Sequence, residues 1–143
     1  LVPLVADAVK IPIAAAGGIA DARGYRAALA LGAQGVQIGT RFLASKESTV
    51  SEKWKEAVVS CPDGGTALFP VQKVLMTRAI VTPSLKRLLD DPGIDLEEAL
   101  HYADRIRAWD TGDHENAIAG AGQVAALIHD IRSVSDIIKD MVA

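Results

Sequence analysis

Apolar and polar positions along this chain change their period several times, and each change marks an element. Leu1, Leu4, Val5 and Ala8 recur at helical spacing, which predicts a helix within residues 1–10. Ile11–Ala16 is then an unbroken run of small apolar residues, the pattern of a strand buried on both faces. Pro12 sits at its start, where a missing N–H is tolerated. Gly17-Gly18 ends the run. Asp21 stands where an N-cap belongs. Tyr25, Ala28 and Leu29 give the following helix, over about 22–31, its apolar stripe, with Arg23 and Arg26 off it. Gly32 suits the position just past a helix end. Gly35–Ile38 predicts a second strand, and Gly39-Thr40 ends it. Strand, helix, strand with this spacing is a parallel βαβ unit.

Beyond it the pattern is less regular. Thr49-x-x-Glu52 reads as a capping box for a helix over about 50–60. Cys61–Gly65 is a turn. Thr66–Ile80 is rich in β-branched and apolar residues and reads as extended. Ser84 is placed to cap a short helix that stops near Asp91-Pro92-Gly93. Ala99, Leu100, Ala103 and Ile106 predict an amphipathic helix over Leu96–Trp109. Val124, Leu127, Ile128 and Ile131 mark another. Ser133 opens the last, with Val134, Ile137, Ile138 and Met141 on one face.

Composition narrows the class. Half of the 143 residues are hydrophobic and only 4% are aromatic, which favours an α/β protein with parallel strands under covering helices. The formal net charge of −3 and the lack of a basic patch argue against a nucleic-acid partner. No apolar run reaches the roughly 18 residues a membrane helix needs. There is no signal-peptide pattern, so the expected setting is cytoplasmic. A single cysteine, Cys61, allows no internal disulfide and no multi-cysteine metal site. The chain begins at Leu1 and supplies about two strands of the doubly buried kind. The expectation is therefore an incomplete barrel, its remaining strands lying elsewhere.

The candidate chemistry lies in the two glycine turns. A strand ending in Gly-Gly before a helix leaves backbone N–H groups open, with no Cβ to keep a ligand's oxygens away. A helix N-terminus adds partial positive charge. Each amide-to-phosphate bond contributes about 1.5–3 kcal/mol. One glycine pair can merely let a strand turn into a helix; two at the ends of adjacent parallel strands point to a phosphate.

Other signals carry less. Gly120–Ala125 fits G-x-G-x-x-A, but polar residues 113–116 precede it and no acid-terminated strand follows, Asp140 lying in the last helix. Cys61 has no histidine near it in sequence. Asp90, Asp91, Asp95, Glu97 and Glu98 flank a helix end and a helix start, which favours capping over metal binding. His101, His114 and His129 lie in predicted helices or a polar turn, and none is nominated as a base. Arg78, in the extended segment, is a candidate to contact substrate or cofactor, weighed against a plain surface arginine.

Together AAGGIAD (residues 15–21), GAQGVQIGTRFL (32–43), TRAI (77–80) and AGQVAALI (121–128) resemble the C-terminal half of the nitronate monooxygenases, once called 2-nitropropane dioxygenases. The flavin-dependent enoyl-ACP reductases look similar. The resemblance implies strands 7 and 8 of a (β/α)8 TIM barrel, spanning residues 1–143, with about 66–143 as a partly extended segment plus closing helices. It implies an FMN-dependent oxidoreductase that converts small alkyl nitronates with molecular oxygen to a carbonyl compound and nitrite. Gly17 and Gly18 would hold the FMN phosphate from one turn, and Gln37, Ile38, Gly39 and Thr40 from the other. Gly122 and Gln123 would pack near the flavin. Arg41 and Phe42 continue the motif without an assigned step. The family's essential histidine belongs to the N-terminal half, so the catalytic residues are unknown from this chain. The alternatives are an enoyl-ACP reductase using NADH or NADPH, and a non-catalytic half barrel. Open strand edges would favour self-association.

Overall fold

Two short parallel strands, β1 (Ala14–Ala16) and β2 (Gly35–Gln37), stand side by side in the computed structural model of this chain. The structure describes residues 1–72, 75–91, 93, 109–116 and 118–143. Helix α2 (Ala22–Ala30) connects the strands as the sequence predicts. Asp21 caps it, its carboxylate accepting the Arg23 amide at 2.9 Å and the Gly24 amide at 3.4 Å. Gly32 leaves the helix at φ +101°, where a side chain would be strained.

β1 is shorter than the apolar run that announces it, and it is not buried on both faces. Ala15 is buried; Ala14 and Ala16 are exposed. The covered face packs on α2 and on the last helix, α6 (Val134–Val142), in a cluster of Ala15, Ala28, Ile137 and Met141. Among the described residues nothing covers the other face. Helix α1 (Val2–Ala8) has the predicted position but buries no residue fully, and Leu4 stays exposed.

The extended stretch resolves into an antiparallel hairpin, β3 (Thr66–Gln72) and β4 (Leu75–Ile80), with Thr66 opposite Ile80. Its register shifts between Pro70 and Gln72, next to a residue with no N–H to give the ladder. Residues 119–121 line the free edge of β4. The Ile80 amide donates to the Ala119 carbonyl at 2.9 Å, the Ala121 amide donates to the Arg78 carbonyl at 3.2 Å, and Ala79 bridges Gly120. This pairing falls on the first residues of the G-x-G-x-x-A motif, and among the described residues no strand directly precedes Gly120. The pairing is antiparallel, and a 3-10 turn follows it, so the dinucleotide pattern still lacks its βαβ setting.

Helices α3 (Thr40–Leu43) and α4 (Glu52–Val59) and the 3-10 helix Gln123–Leu127 enclose the largest core cluster, with Ala44, Trp54, Val58, Ala125 and Ile128 at its centre. Trp54 meets Trp109 edge-on, ring centres 5.2 Å apart. Such a pair adds about 0.5–1.5 kcal/mol beyond its buried area. A smaller cluster of Phe69, Ala79, Leu85 and Ile118 ties the hairpin to helix α5 (Pro83–Asp90).

Several caps fall elsewhere than predicted. Ser51, not Thr49, caps α4 by accepting the Trp54 amide. Glu52 is then the first helical residue and pairs with Lys55 at 2.7 Å instead of closing a capping box. Thr82, not Ser84, caps α5, because Pro83 fixes the first helical φ one residue earlier. The helix expected over residues 124–131 is only the 3-10 turn. Beyond it the chain extends so that Arg132 can bridge Ser45 and accept the Lys46 amide at 2.9 Å. Ser133 caps α6 as predicted, but Ile138 lies on its exposed side. The helix predicted over 96–109 falls outside the described residues, apart from Trp109.

Candidate functional site

β1 and β2 end level, with Ala16 paired to Gln37, so their two glycine turns leave the sheet side by side. Gly17 (φ +88°) and Gly18 (φ +74°) adopt the left-handed conformation that a side chain disfavours. A Cβ at either position, or at Gly39, would meet no atom within 4 Å. The turns therefore border open space. It is a cleft of about 290 Å³ lined by Ala16, Gly17, Gly18, Ile19, Gln37, Ile38, Gly39, Thr40, Gly122 and Val124. All the sequence-predicted site residues meet there except Gln123, which is exposed and begins the 3-10 helix.

No lining residue carries a charge. An anion in this cleft would be held by backbone amides, a hydroxyl and a helix end. The Phe42 and Leu43 amides donate back to the Gly39 carbonyl at 2.9 and 3.1 Å. The amides of Thr40 and Arg41 begin α3 and have no intrahelical partner. The N-terminus of α2 contributes less than its sequence suggests, since the Asp21 carboxylate already occupies its first-turn amides. The Arg23 guanidinium, hydrogen-bonded to Asp21, holds that carboxyl below its ordinary value. Thr40 Oγ1 accepts the Gly122 N–H at 2.9 Å, which holds the segment paired along β4 at the wall of the cleft.

Behind α3 stands a support that the sequence reading left without a role. Arg41 is buried. Its guanidinium donates to the Asp130 carboxylate at 2.9 Å, to the Asp130 carbonyl at 2.8 Å and to the Ala44 carbonyl at 3.0 Å. Glu47 accepts the Val134 amide with both carboxylate oxygens, at 2.9 and 3.1 Å, and so caps α6 from a distant segment. These contacts bind residues 41–47 to 130–134 and anchor α3, whose first residue lines the cleft. The one available signal was an arginine amid the apolar positions of a short helix.

The remaining candidates lie apart. Arg78 spends its guanidinium on Thr66, donating to the carbonyl at 3.2 Å and to the hydroxyl at 3.1 Å. Cys61 is buried, and burial raises its thiol pKa, as expected of an inert cysteine. It borders a cavity of about 540 Å³ with Thr82 and His114, outside the glycine turns. His114 Nε2 lies 3.2 Å from the Lys53 carbonyl, and His129 is exposed. Asp91 accepts the Gly93 amide at 2.9 Å, a turn contact. His101 and the acidic residues Asp95, Glu97 and Glu98 fall outside the described residues. No cluster with metal-ligand composition occurs among the described residues, and no helix among them is long and apolar enough to cross a membrane.

Known proteins resemble this chain in sequence and fold. A family model for nitronate monooxygenase matches residues 1–143. The chain belongs to the nitronate monooxygenase family. A probable nitronate monooxygenase of Staphylococcus aureus (strain JH9) is 35% identical over 127 residues, 86% of this chain and 36% of that protein. FabK from Thermotoga maritima superposes with a TM-score of 0.90 at 40% identity, over 99% of this chain and 46% of its own. Nitroalkane oxidase from Streptomyces ansochromogenes superposes at 0.80 and 27% identity, over 99% of this chain and 41% of its own. The chain thus spans less than half the length of each. The family read from the motifs is the family found, and the α/β fragment is compatible with part of a barrel.

Proposed function

We propose that the complete nitronate monooxygenase relative is an FMN-dependent oxidoreductase and that residues 1–143 supply its phosphate anchor. The observation that carries this is the uncharged cleft at the level ends of β1 and β2, walled by Gly17, Gly18, Gly39 and Thr40. In (β/α)8 barrels the loops after strands 7 and 8 form a common phosphate site, which supports reading β1 and β2 as those strands. The residues suit a phosphate ester. Glycines allow close approach, α3 presents free amides, and the Thr40 hydroxyl adds a donor. About 290 Å³ is near the low end for ligand pockets and suits the phosphate end of a nucleotide.

Bound there, FMN supplies the redox chemistry; the protein supplies position and electrostatics. The Gly17 and Gly18 turn would hold the phosphate from one side, and the Thr40 amide and hydroxyl would hold it from the other. Ile38 and Val124 offer apolar surface beside them. None of the described histidines lines the cleft, and on the family resemblance the catalytic histidine is one of the N-terminal half of the barrel. The substrate class is an alkyl nitronate, with oxygen as oxidant and a carbonyl compound and nitrite as products. The complete protein given propionate 3-nitronate should consume oxygen in proportion to its FMN content. No flavin-dependent oxygen consumption would overturn the assignment.

A second reading, a flavin-dependent enoyl-ACP reductase, draws support from the superposition on FabK, which is better than that on the nitroalkane oxidase. It predicts NADH or NADPH oxidation driven by an enoyl thioester, whereas nitronate oxidation needs no added reductant.

A further inference from the structure

The hydrogen bond from the Gly122 amide to Thr40 Oγ1 spans 82 residues of sequence and joins the cleft to the hairpin. A threonine hydroxyl has one hydrogen to donate and two lone pairs. Gly122 occupies a lone pair. No described residue accepts the Thr40 hydrogen, and Thr40 lines the cleft. That hydrogen is therefore available to an anion placed between the glycine turns. Hydrogen bonds in such a chain polarise one another, so a hydroxyl that donates to an anion becomes a better acceptor for the amide behind it.

Gly122 is also held from the other side. Residues 119–121 pair along β4, with the Ala121 amide on the Arg78 carbonyl, while the Arg78 side chain holds Thr66 on β3. A continuous chain of contacts thus runs from cleft to hairpin through Thr40, Gly122, Ala121 and Arg78.

We propose that the Thr40–Gly122 hydrogen bond is a latch that couples occupancy of the phosphate cleft to the order of residues 118–125 and the β4 edge. Gly122 acts as a positioning residue, working through Thr40. This rests on the reading of the cleft as a phosphate site. The coupling is reciprocal: whatever tightens the latch tightens phosphate binding by the same factor.

The test is hydrogen exchange on the complete protein with and without saturating FMN, in wild type, Thr40→Ser and Thr40→Val. In wild type and Thr40→Ser, FMN should slow amide exchange across residues 118–125 and along β4. In Thr40→Val, measured at equal FMN occupancy, that slowing should vanish while the Gly17–Gly18 turn stays protected. The FMN dissociation constant should rise about tenfold or more in Thr40→Val and change less than about threefold in Thr40→Ser. A Thr40→Val protein that keeps the FMN-dependent slowing at 118–125 overturns the latch and leaves the phosphate site standing. Failure of wild type to bind FMN overturns both.

Discussion

The two sheets of this molecule differ in how much they need from elsewhere. β3 and β4 are neighbours in sequence and antiparallel, and they pair along most of their length. Their third partner, residues 119–121, lies in the same chain. β1 and β2 pair over only three positions, need α2 to connect them, and leave Ala14 and Ala16 exposed. An antiparallel sheet can keep one face in water; a parallel one is normally covered on both. The region with the candidate chemistry is therefore the one whose sheet is covered on a single face. The candidate cleft lies at the end of the sheet with one bare face, while the hairpin, which lends the cleft no lining residue, finds its pairing partners among nearby and described segments.

The largest expected effect lies where α5 packs on the hairpin. Leu85 is fully buried against Phe69, Ala79 and Ile118, so Leu85→Ala should cost about 2–5 kcal/mol in chemical unfolding of the complete protein. A smaller loss would mean that the hairpin cluster is loosely packed and the contrast overstated. On the cleft side, Gly18→Ala forces a side chain into φ +74° and should cost about 1–2 kcal/mol while weakening FMN binding. Unchanged FMN affinity would separate the turn from the ligand. Ser133→Ala removes the α6 cap beneath β1 and should cost about 1 kcal/mol.

The smallest effect is electrostatic. The Asp21 carboxyl sits below its ordinary value of 3.8, first because Arg23 hydrogen-bonds to it. Its contribution to stability is complete above that value and is lost as pH falls through the depressed folded one. Both partners are substantially exposed, so the effect is small. Urea midpoints of wild type and Asp21→Asn should differ slightly near neutral pH and converge in acid. A difference that grows in acid would contradict the cap.

The same contrast governs what could be read from sequence. The βαβ unit was legible because local signals agree there: Asp21 caps, Gly32 terminates, and two glycine turns end the strands. Its bare face was not legible, since Ile11–Ala16 reads as a run buried on both faces and only Ala15 of β1 is buried. The hairpin was legible as extended but not as paired, since its pairing depends on a register broken beside Pro70. Ser51 and Thr82 were missed as caps because hydroxyls are plentiful there, and Pro83 was the decisive signal for the second. The cleft residues followed from the motif, while Gln123 falls outside the lining because the 3-10 helix starts there. The roles of Arg41 and Glu47 depend on Asp130 and Val134, far along the chain, and no local pattern announces such contacts.

The central claim is that this cleft grips a phosphate, and a comparison of FMN with riboflavin on the complete protein tests it most directly. Gly39 has φ −104°, where any residue fits, and open space where a Cβ would stand, so Gly39→Val fills the cradle without backbone strain. Wild type should bind FMN at least about a hundredfold more tightly than riboflavin, from two or more amide-to-phosphate bonds. Gly39→Val should erase most of that preference and leave riboflavin affinity unchanged. Equal affinities in wild type, or a preference that survives Gly39→Val, would contradict the account.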